Sequence, residues 1–506
     1  MFENQPKGLY ALALANTGER FGYYTMIAVF ALFLRANFGL EPGTAGLIYS
    51  TFLMFVYFLP VIGGLLADIF GYGKMVTVGI MIMFLGYVAL SVPLGGGNTA
   101  FWAMVGALVL ISAGTGLFKG NLQVMVGNLY DDPQYSDRRD AAFSIFYMAI
   151  NIGAMFAPTA AVKIMEYAQT QLGVSEADSY HFAFGVACAS LILSIAIYYA
   201  FRSTFRHTER STMSKNKGET TAAEQLAPGE TSRRVVALIL VFIVVIFFWM
   251  AFHQNGLTLT FFADEFTAKS ASGLQSMAFD VWNLVACIFI VYALFAVFQS
   301  KTQRARNIAW GVIAAAVAFL VWRYFNLPES TKLDAPIFQQ FNPCFVVALT
   351  PVSIALFGWL AARGQEPSAP RKIALGMLVA AWAYVIMAVG SMGLLTPSEQ
   401  QAAGDAATLV SPNWLIGTYL VLTFGELLLS PMGISFVTKV APPKLKGLMM
   451  GGWFASTALG NFLVSVGGYL WGDLPLWNVW AVFIGVCLVA YLFMSIMMRR
   501  LEQVAK

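Results

Sequence analysis

Residues 235–252 read VVALILVFIVVIFFWMAF, eighteen apolar residues in a row without a charged side chain. A helix of about 20 apolar residues crosses the ~30 Å hydrocarbon core of a bilayer, since each residue adds 1.5 Å. Similar blocks recur along all 506 residues, of which 58% are hydrophobic and 11% charged. A soluble protein is roughly 25% charged. We therefore expect an all-α polytopic membrane protein.

Apolar blocks between charged or Gly/Pro-rich breaks predict fourteen spans. These are 9–34, 45–67, 75–94, 101–128, 141–162, 181–201, 234–263, 278–299, 306–325, 341–362, 373–394, 413–438, 447–470 and 476–498. Lys and Arg gather on the cytoplasmic loops of membrane proteins. With a cytoplasmic N-terminus, most of the 30 Lys and Arg fall on that side. We therefore expect both termini to be cytoplasmic.

Residues 202–233 interrupt the apolar blocks and divide the chain. This stretch is rich in charged, Ser, Thr and Gly residues and has few apolar side chains, which is typical of a flexible linker. Six spans precede it, in residues 1–201, and eight follow it, in residues 234–506. Two halves around a central loop are typical of secondary transporters, whose substrate site lies near the midplane between the halves.

Five ionisable side chains lie inside the predicted spans: Glu19, Arg20, Lys119, His253 and Glu426. An unpaired charge at the bilayer centre costs at least ~2.5 kcal/mol, so each must face a partner or water. With the histidine neutral, two acids balance two bases. Such a set could pin helices together, but small residues pack helices in lipid at lower cost. The set is therefore a candidate binding site.

Polar and aromatic side chains accompany these charges. They are Tyr23, Tyr24, Tyr57, Asn151 and Asn342. The first two follow Arg20 at the spacing that places side chains on one helical face. Each alone is usually an interhelical contact. With charges of both signs they describe a cavity for a small zwitterion, in which an acid binds an ammonium group and cations bind a carboxylate.

The composition disfavours several other classes of protein. The net charge of +4 is spread over many short loops, which argues against a nucleic-acid partner. The four cysteines lie in apolar blocks, which argues against a disulfide framework or a Cys/His metal site. The spans have no Ser/His/Asp set or metal-ligand spacing. We therefore expect no cofactor, no metal and no enzymatic activity, and no stretch resembles the output domain of a sensor.

Seven segments, in order along the chain, resemble those of a known family. They are NTGERFGYY (16–24), GGLLAD (63–68), GTGLFKGN (114–121), AFSIFYMAINIGA (142–154), FNP (341–343), GELLLSPMG (425–433) and MMGGWF (449–454). On these segments the chain resembles the proton-dependent oligopeptide transporters of the major facilitator superfamily. The resemblance implies two six-helix bundles, which leaves the spans 278–299 and 306–325 as an inserted hairpin, residues 278–325. It also implies import of di- and tripeptides by alternating access, driven by protons, by a monomer in the cell inner membrane.

The resemblance implies roles for particular residues. Arg20 and Lys119 would contact the peptide carboxylate, and Glu19 would interact with Lys119. Glu426 and Asn342 would hold the peptide amino terminus, with Asn151 at the peptide backbone. Side-chain pockets would be lined by Tyr23, Tyr24, Tyr57 and Trp453.

Three departures from the family pattern fall on proton coupling. Asn16 stands where the family has a first Glu, and Ile27 and His253 stand where it has an Arg–acid gate pair. Coupling would then depend on Glu19 and Glu426. His253 is either a replacement proton site or a neutral hydrogen-bonding residue. A weakly coupled peptide facilitator and a carrier of amino acids or nitrate are the alternatives.

The two surplus spans lie between residues 254 and 342 and must form a hairpin. One interpretation is a peripheral hairpin that faces lipid and has no part in transport. The other is a lateral brace that restrains the second half.

Overall fold

Helices dominate the computed structural model, which describes residues 5–136, 139–210, 229–442 and 445–505. The helices are α1 Lys7–Phe38, α2 Pro42–Phe70, α3 Tyr72–Ser91, α4 Asn98–Asn128, α5 Arg139–Gln171, α6 Glu176–Ala200, α7 Glu230–Phe252, α8 Thr258–Glu265, α9 Gly273–Met277, α10 Val281–Gln299, α11 Gln303–Phe325, α12 Phe341–Ala362, α13 Ala369–Gly390, α14 Pro397–Ala403, α15 Asn413–Val440, α16 Lys446–Phe462, α17 Ser465–Leu470 and α18 Leu476–Ala505. Strands β1 Ser270–Ala271 and β2 Thr331–Lys332 pair antiparallel.

Within these described ranges, thirteen helical segments are long and apolar enough to cross a membrane. Each lies on one of the predicted spans, and α7 and α8 together form the segment predicted at 234–263. The remaining predicted span, 447–470, is divided into α16 and α17 by a break at Leu463 and Val464. The prediction of a polytopic helical membrane protein is confirmed.

Glycines allow the helices of the N-terminal half to pack closely around α4. A side-chain carbon added at Gly63 of α2 would overlap the backbone carbonyl of Gly116 of α4. One added at Gly79 of α3 would lie 2.7 Å from the carbonyl oxygen of Gly114. The buried Asn121 of α4 also donates from Nδ2 to the Gly63 carbonyl oxygen at 3.1 Å. Small residues thus bring the backbones together, which is how helices associate in lipid.

The C-terminal half uses glycine and aromatic contacts. A side-chain carbon at Gly376 of α13 would lie 3.0 Å from the carbonyl oxygen of Gly425 of α15. Between α13 and α18, the rings of Tyr384 and Trp480 stack with centroids 5.9 Å apart. The Trp480 indole also donates to Ser391 Oγ at 2.9 Å. The glycine contact brings α15, which carries Glu426, against α13, and the aromatic contacts pack α13 against α18.

The two halves meet where α1 ends and α2 begins. There α1 contacts α8 and the 3-10 turn Ala335–Gln340, while α2 contacts α16 and α17. The backbones approach closely, because a side-chain carbon at Gly468 would lie 2.6 Å from the Pro42 carbonyl oxygen. This end of the bundle is therefore closed in the structure.

The start of the predicted linker differs from the expected flexible chain. Arg202–Thr204 and Arg206–Glu209 form 3-10 turns. Phe205 is fully buried, and the Arg202 guanidinium binds the Glu209 carboxylate at 2.7 Å. Residues 202–210 therefore pack on the N-terminal half, because the Phe205 ring contacts the Tyr198 ring of α6 and Glu209 accepts from the Tyr198 hydroxyl at 3.0 Å. Helix α7 begins at Glu230, and residues 211–228 lie outside the described part of the chain.

The surplus spans form the predicted hairpin, α10 and α11. Helix α10 contacts α5 of the first half and α12 of the second, and Tyr292 of α10 donates to the Val347 carbonyl oxygen at 3.1 Å. Helix α11 is mostly exposed, with Ala309 as its buried residue. Arg323, near the end of α11, pairs with Asp280, directly before α10. One helix of the hairpin is thus packed against both halves, and the other lies outside it.

We predict that Gly63→Ala lowers the free energy of unfolding by about 1–3 kcal/mol, because the added methyl group overpacks the α2–α4 contact. The neighbouring Gly64→Ala is a matched control, since a side-chain carbon there meets no atom within 4 Å. Alanine also favours helix over glycine, so the control should be neutral or stabilising. Thermal unfolding in detergent compares the two, and equal melting temperatures would contradict the close approach of α2 and α4.

Candidate functional site

Glu19 and Arg20, adjacent on α1, form a fully buried ion pair. The guanidinium donates from Nε and Nη2 to the two carboxylate oxygens, each at 2.5 Å. The side chains are 0% and 2% exposed. The guanidinium also lies 4.5 Å from the ring centroid of Tyr23. Two-point ion pairs of this kind are strong and directional, so these two charges largely neutralise each other.

The resemblance implied an interaction between Lys119 of α4 and Glu19. In the structure these two residues form no ion pair. Its ammonium nitrogen lies 4.1 Å from the ring centroid of Tyr57 of α2. Among the described residues, no carboxylate lies within 4 Å of that nitrogen. Glu19 instead binds Arg20, its neighbour in the sequence. Lys119 therefore has an aromatic contact but keeps its positive charge available for a ligand.

His253 begins the 3-10 turn His253–Gly256 between α7 and α8. Its ring stacks on Trp249, with centroids 5.1 Å apart, and lies 5.9 Å from the Tyr57 ring. Its Nδ1 lies 2.6 Å from Oδ1 of Asn461 on α16. Over the residues described, no carboxylate lies within 4 Å of its ring nitrogens. The histidine thus has a neutral hydrogen-bond partner and aromatic neighbours.

Glu426 of α15 is 9% exposed and contacts neutral donors. Asn342 of α12 donates from Nδ2 to Glu426 Oε2 at 2.9 Å and to Thr423 Oγ1 at 3.0 Å. Tyr147 of α5 makes a longer contact, 3.5 Å from its hydroxyl to Glu426 Oε1. In the described parts of the chain, no cation lies within 4 Å of this carboxylate. Glu426 therefore offers an uncompensated negative charge when ionised.

The other predicted residues make packing contacts. Tyr23 contacts the Tyr24 ring edge-on at 5.2 Å and stacks with Phe52 at 6.4 Å. Asn151 donates to the Tyr147 carbonyl oxygen, one turn back on its own helix, at 3.0 Å. Trp453 is 3% exposed, and its indole fills the space where Gly433 has no side chain. The structure therefore packs Trp453 into the protein rather than exposing it at a pocket wall.

Sequence reasoning did not select three side chains that contact the site: Tyr147, Thr423 and Asn461. Tyr147 lies four residues before Asn151, so helical spacing could have identified it. Thr423 lies three residues before Glu426, so helical spacing could have identified it as well. Asn461 is distant in sequence from His253, and no spacing rule joins them.

The two halves of the protein carry charges of opposite sign at the candidate site. Lys119 belongs to the first half and Glu426 to the second. Tyr147 reaches from α5 to Glu426, so the site is shared by both halves. A candidate site of this kind, at the interface of two helical bundles, is typical of secondary transporters.

Comparison with known proteins gives the family. The family model PTR2, described as the POT family, matches residues 73–222 and 325–470. The chain is 30% identical to the uncharacterized transporter YclF of Bacillus subtilis, covering 90% of this chain and 86% of YclF. It is 28% identical to the peptide transporter YePEPT of Yersinia enterocolitica, covering 99% and 96%. The chain belongs to the POT family.

A solved structure shares the fold over the whole chain. It is a crystal structure of a mutant of the peptide transporter POT in complex with alafosfalin, with a TM-score of 0.74 and 25% identity, covering 100% of this chain and 97% of that one. The predicted major facilitator fold is thus confirmed.

We predict that Thr423→Val lowers the melting temperature more than Thr418→Val on the same helix. Each threonine donates to the carbonyl oxygen one turn back, at 2.7 and 2.8 Å, and each is fully buried. Only Thr423 also accepts from Asn342. The substitution leaves one N–H of the Asn342 amide without its acceptor, which should cost about 1–3 kcal/mol. Thermal unfolding in detergent measures the difference, and identical losses would show that the Asn342 bond does not stabilise the fold.

Proposed function

We propose that the chain imports di- and tripeptides by alternating access, coupled to protons. The observation that carries this proposal is the pair of charges without ionic partners, Lys119 and Glu426, on opposite halves of one site. A peptide has a carboxylate at one end and an ammonium group at the other, so one molecule can neutralise both. Relatives named as peptide transporters support the same substrate class.

The same charges disfavour ligands of a single sign. A purely anionic solute such as nitrate would bind Lys119 but would be repelled by ionised Glu426. A cation would be repelled by Lys119 in turn. An amino acid also has both ends, but the relatives that are named for a substrate are peptide transporters. Amino-acid carriage is therefore the second candidate, and nitrate is disfavoured.

We assign Glu426 as the principal proton carrier. Its hydrogen bonds come from an amide and a phenol, groups that do not supply a compensating charge. It can therefore exchange a proton for the ammonium group of a peptide. Glu19 is less suited to this exchange, because Arg20 binds both of its oxygens.

We propose that His253 is a neutral hydrogen-bonding residue. Its Nδ1 contacts an amide oxygen, and protonation would place a cation in the span without a carboxylate beside it, which is costly. The alternative keeps His253 as a proton site that replaces the missing family acid. Asn16 cannot titrate either. If His253 also carries no proton, the alternative function is a peptide facilitator that is only weakly coupled to protons.

We further propose that the protein lies in the cell inner membrane as a monomer, with both termini in the cytoplasm. The distribution of Lys and Arg over the loops supports this orientation. On this topology, the closed end of the bundle, where α1 ends, faces the outside.

We predict that the purified protein in liposomes exchanges a labelled dipeptide against unlabelled di- and tripeptides, but not against nitrate. Glu426→Gln should reduce exchange at limiting peptide on the order of tenfold or more, because the ammonium group loses its charged partner. Glu329→Gln, an exposed acid on a loop, should leave exchange unchanged. Absence of dipeptide exchange by the unmodified protein would overturn the substrate assignment.

We predict that His253→Gln retains stimulation of uptake by an imposed pH gradient. Glutamine can donate to Asn461 as the neutral imidazole does, whereas His253→Ala leaves that oxygen without its donor and should be less stable. The measurement compares uptake with and without the gradient for each variant. A His253→Gln protein that exchanges peptides normally but ignores the gradient would identify His253 as a proton site.

A further inference from the structure

A cavity of about 650 Å³ lies at the end of the first half where α2 meets α3. Its wall combines the turn between these two helices with the 3-10 turns that follow α6. Helix α2 begins at the closed end of the bundle, so the turn after Phe70 lies at the opposite end. On the proposed topology, this end faces the cytoplasm. The volume falls in the range of roughly 300–1,000 Å³ that is typical of ligand pockets.

The cavity is strongly basic. One acid, Glu209, lines it together with four cations: Lys74, Arg202, Arg206 and Arg210. Arg202 donates to both Glu209 oxygens, at 2.8 and 2.7 Å, so these two charges cancel. For the remaining three cations, the described part of the chain supplies no carboxylate within 4 Å. Even with His207 of its wall neutral, the cavity keeps an excess of positive charge and attracts an anion.

Packing holds the segment that carries the arginines of this cavity. A side-chain carbon added at Gly73 of α3 would lie 2.6 Å from Glu209 Cδ, so Glu209 packs directly on the first turn of α3. Thr208 is buried, and its carbonyl oxygen accepts from Asn128 Nδ2 of α4 at 3.4 Å. The arginines therefore extend from a segment that is fixed on the helix ends, and the cavity between them is already formed.

Exposed aromatic side chains border the cavity. Phe70, which lines it, is 55% exposed, and Phe201, directly after α6, is 51% exposed. The exposed Tyr199 of α6 lies beside them, with its hydroxyl 2.8 Å from Thr77 Oγ1 of α3. Aromatic residues of this kind concentrate where the bilayer meets water. The cavity thus lies at the boundary between the charged surface of the protein and the surrounding lipid.

We propose that this cavity binds the phosphate headgroup of an anionic phospholipid from the cytoplasmic leaflet. The phosphate oxygens accept charge-assisted hydrogen bonds from Lys74, Arg206 and Arg210. The acyl chains pack against Phe70 and Phe201. A free phosphate ion has the same charge chemistry but gains nothing from these apolar side chains, so the lipid is the favoured source. The site is separate from the peptide site and does not depend on the proposed substrate.

The test measures lipid retention by the full chain in mild detergent, without peptide. The protein is titrated with phosphatidylglycerol or with phosphatidylcholine, which has no net charge, and intact-protein mass spectrometry counts the lipids retained. We expect the parent to retain phosphatidylglycerol preferentially. The variant Lys74→Gln/Arg206→Gln/Arg210→Gln should bind it more weakly by on the order of tenfold or more, because three cations at the membrane surface are lost. Binding of phosphatidylcholine should be the same in both proteins.

A matched control removes three charges from the tip of the hairpin, on the same side of the membrane in the predicted topology. Lys301→Gln/Arg304→Gln/Arg306→Gln changes the net charge by the same amount, also at exposed residues. This variant should retain phosphatidylglycerol like the parent. Equal losses in the two variants would show that net charge alone attracts the lipid, and would overturn the site.

Inorganic phosphate distinguishes the two sources of the anion. Phosphate in excess over the lipid should displace no more phosphatidylglycerol than sodium chloride at the same ionic strength, which screens charge equally. Displacement by phosphate alone would assign the cavity to a soluble anion and overturn the lipid site. Equal retention of the two lipids by the parent would overturn it as well. Melting temperatures of the lipid-free variants establish that each protein is folded.

Discussion

The structure depends on how charge is compensated inside the hydrocarbon layer. Glu19 and Arg20 are fully buried and bind each other through two hydrogen bonds. Removing either one would leave a buried, unpaired charge, which is far more destabilising than losing both. Because these two cancel, Lys119 and Glu426 are left without an ionic partner among the described residues. The site is therefore polarised, with one sign of charge on each half.

Close helix packing keeps those charges in place. Helix α4 carries Lys119 and contacts α2 and α3 through glycines, where an added side-chain carbon would strike backbone. Helix α15 carries Glu426 and meets α13 through Gly376 and Gly425. Backbones in such close contact cannot shift without losing many favourable contacts at once. A rigid half on each side allows a substrate to be released by movement of one half against the other.

Much of this arrangement could be predicted from the sequence. Apolar blocks located the spans, because length and hydrophobicity alone decide whether a helix crosses a bilayer. The rarity of charge inside those spans identified the residues of the candidate site. The partner of each charge could not be predicted, since adjacent residues on a helix point in different directions. Glu19 nonetheless reaches Arg20, because both side chains are long. The 3-10 turns within residues 202–210 were not predicted. A single aromatic residue, Phe205, does not distinguish a packed segment from a flexible linker in the sequence.

The Arg35–Glu265 ion pair joins the two halves fifteen residues beyond Arg20, about 22 Å along α1. Under the proposed function, a peptide that neutralises Lys119 and Glu426 leaves this ion pair intact, because it contacts other side chains. Ile27 and His253 make no ionic contact between the halves, since isoleucine cannot ionise and His253 binds Asn461 of its own half. A substrate carboxylate near Tyr57 and Lys119 therefore meets no acidic side chain at position 253 that would repel it.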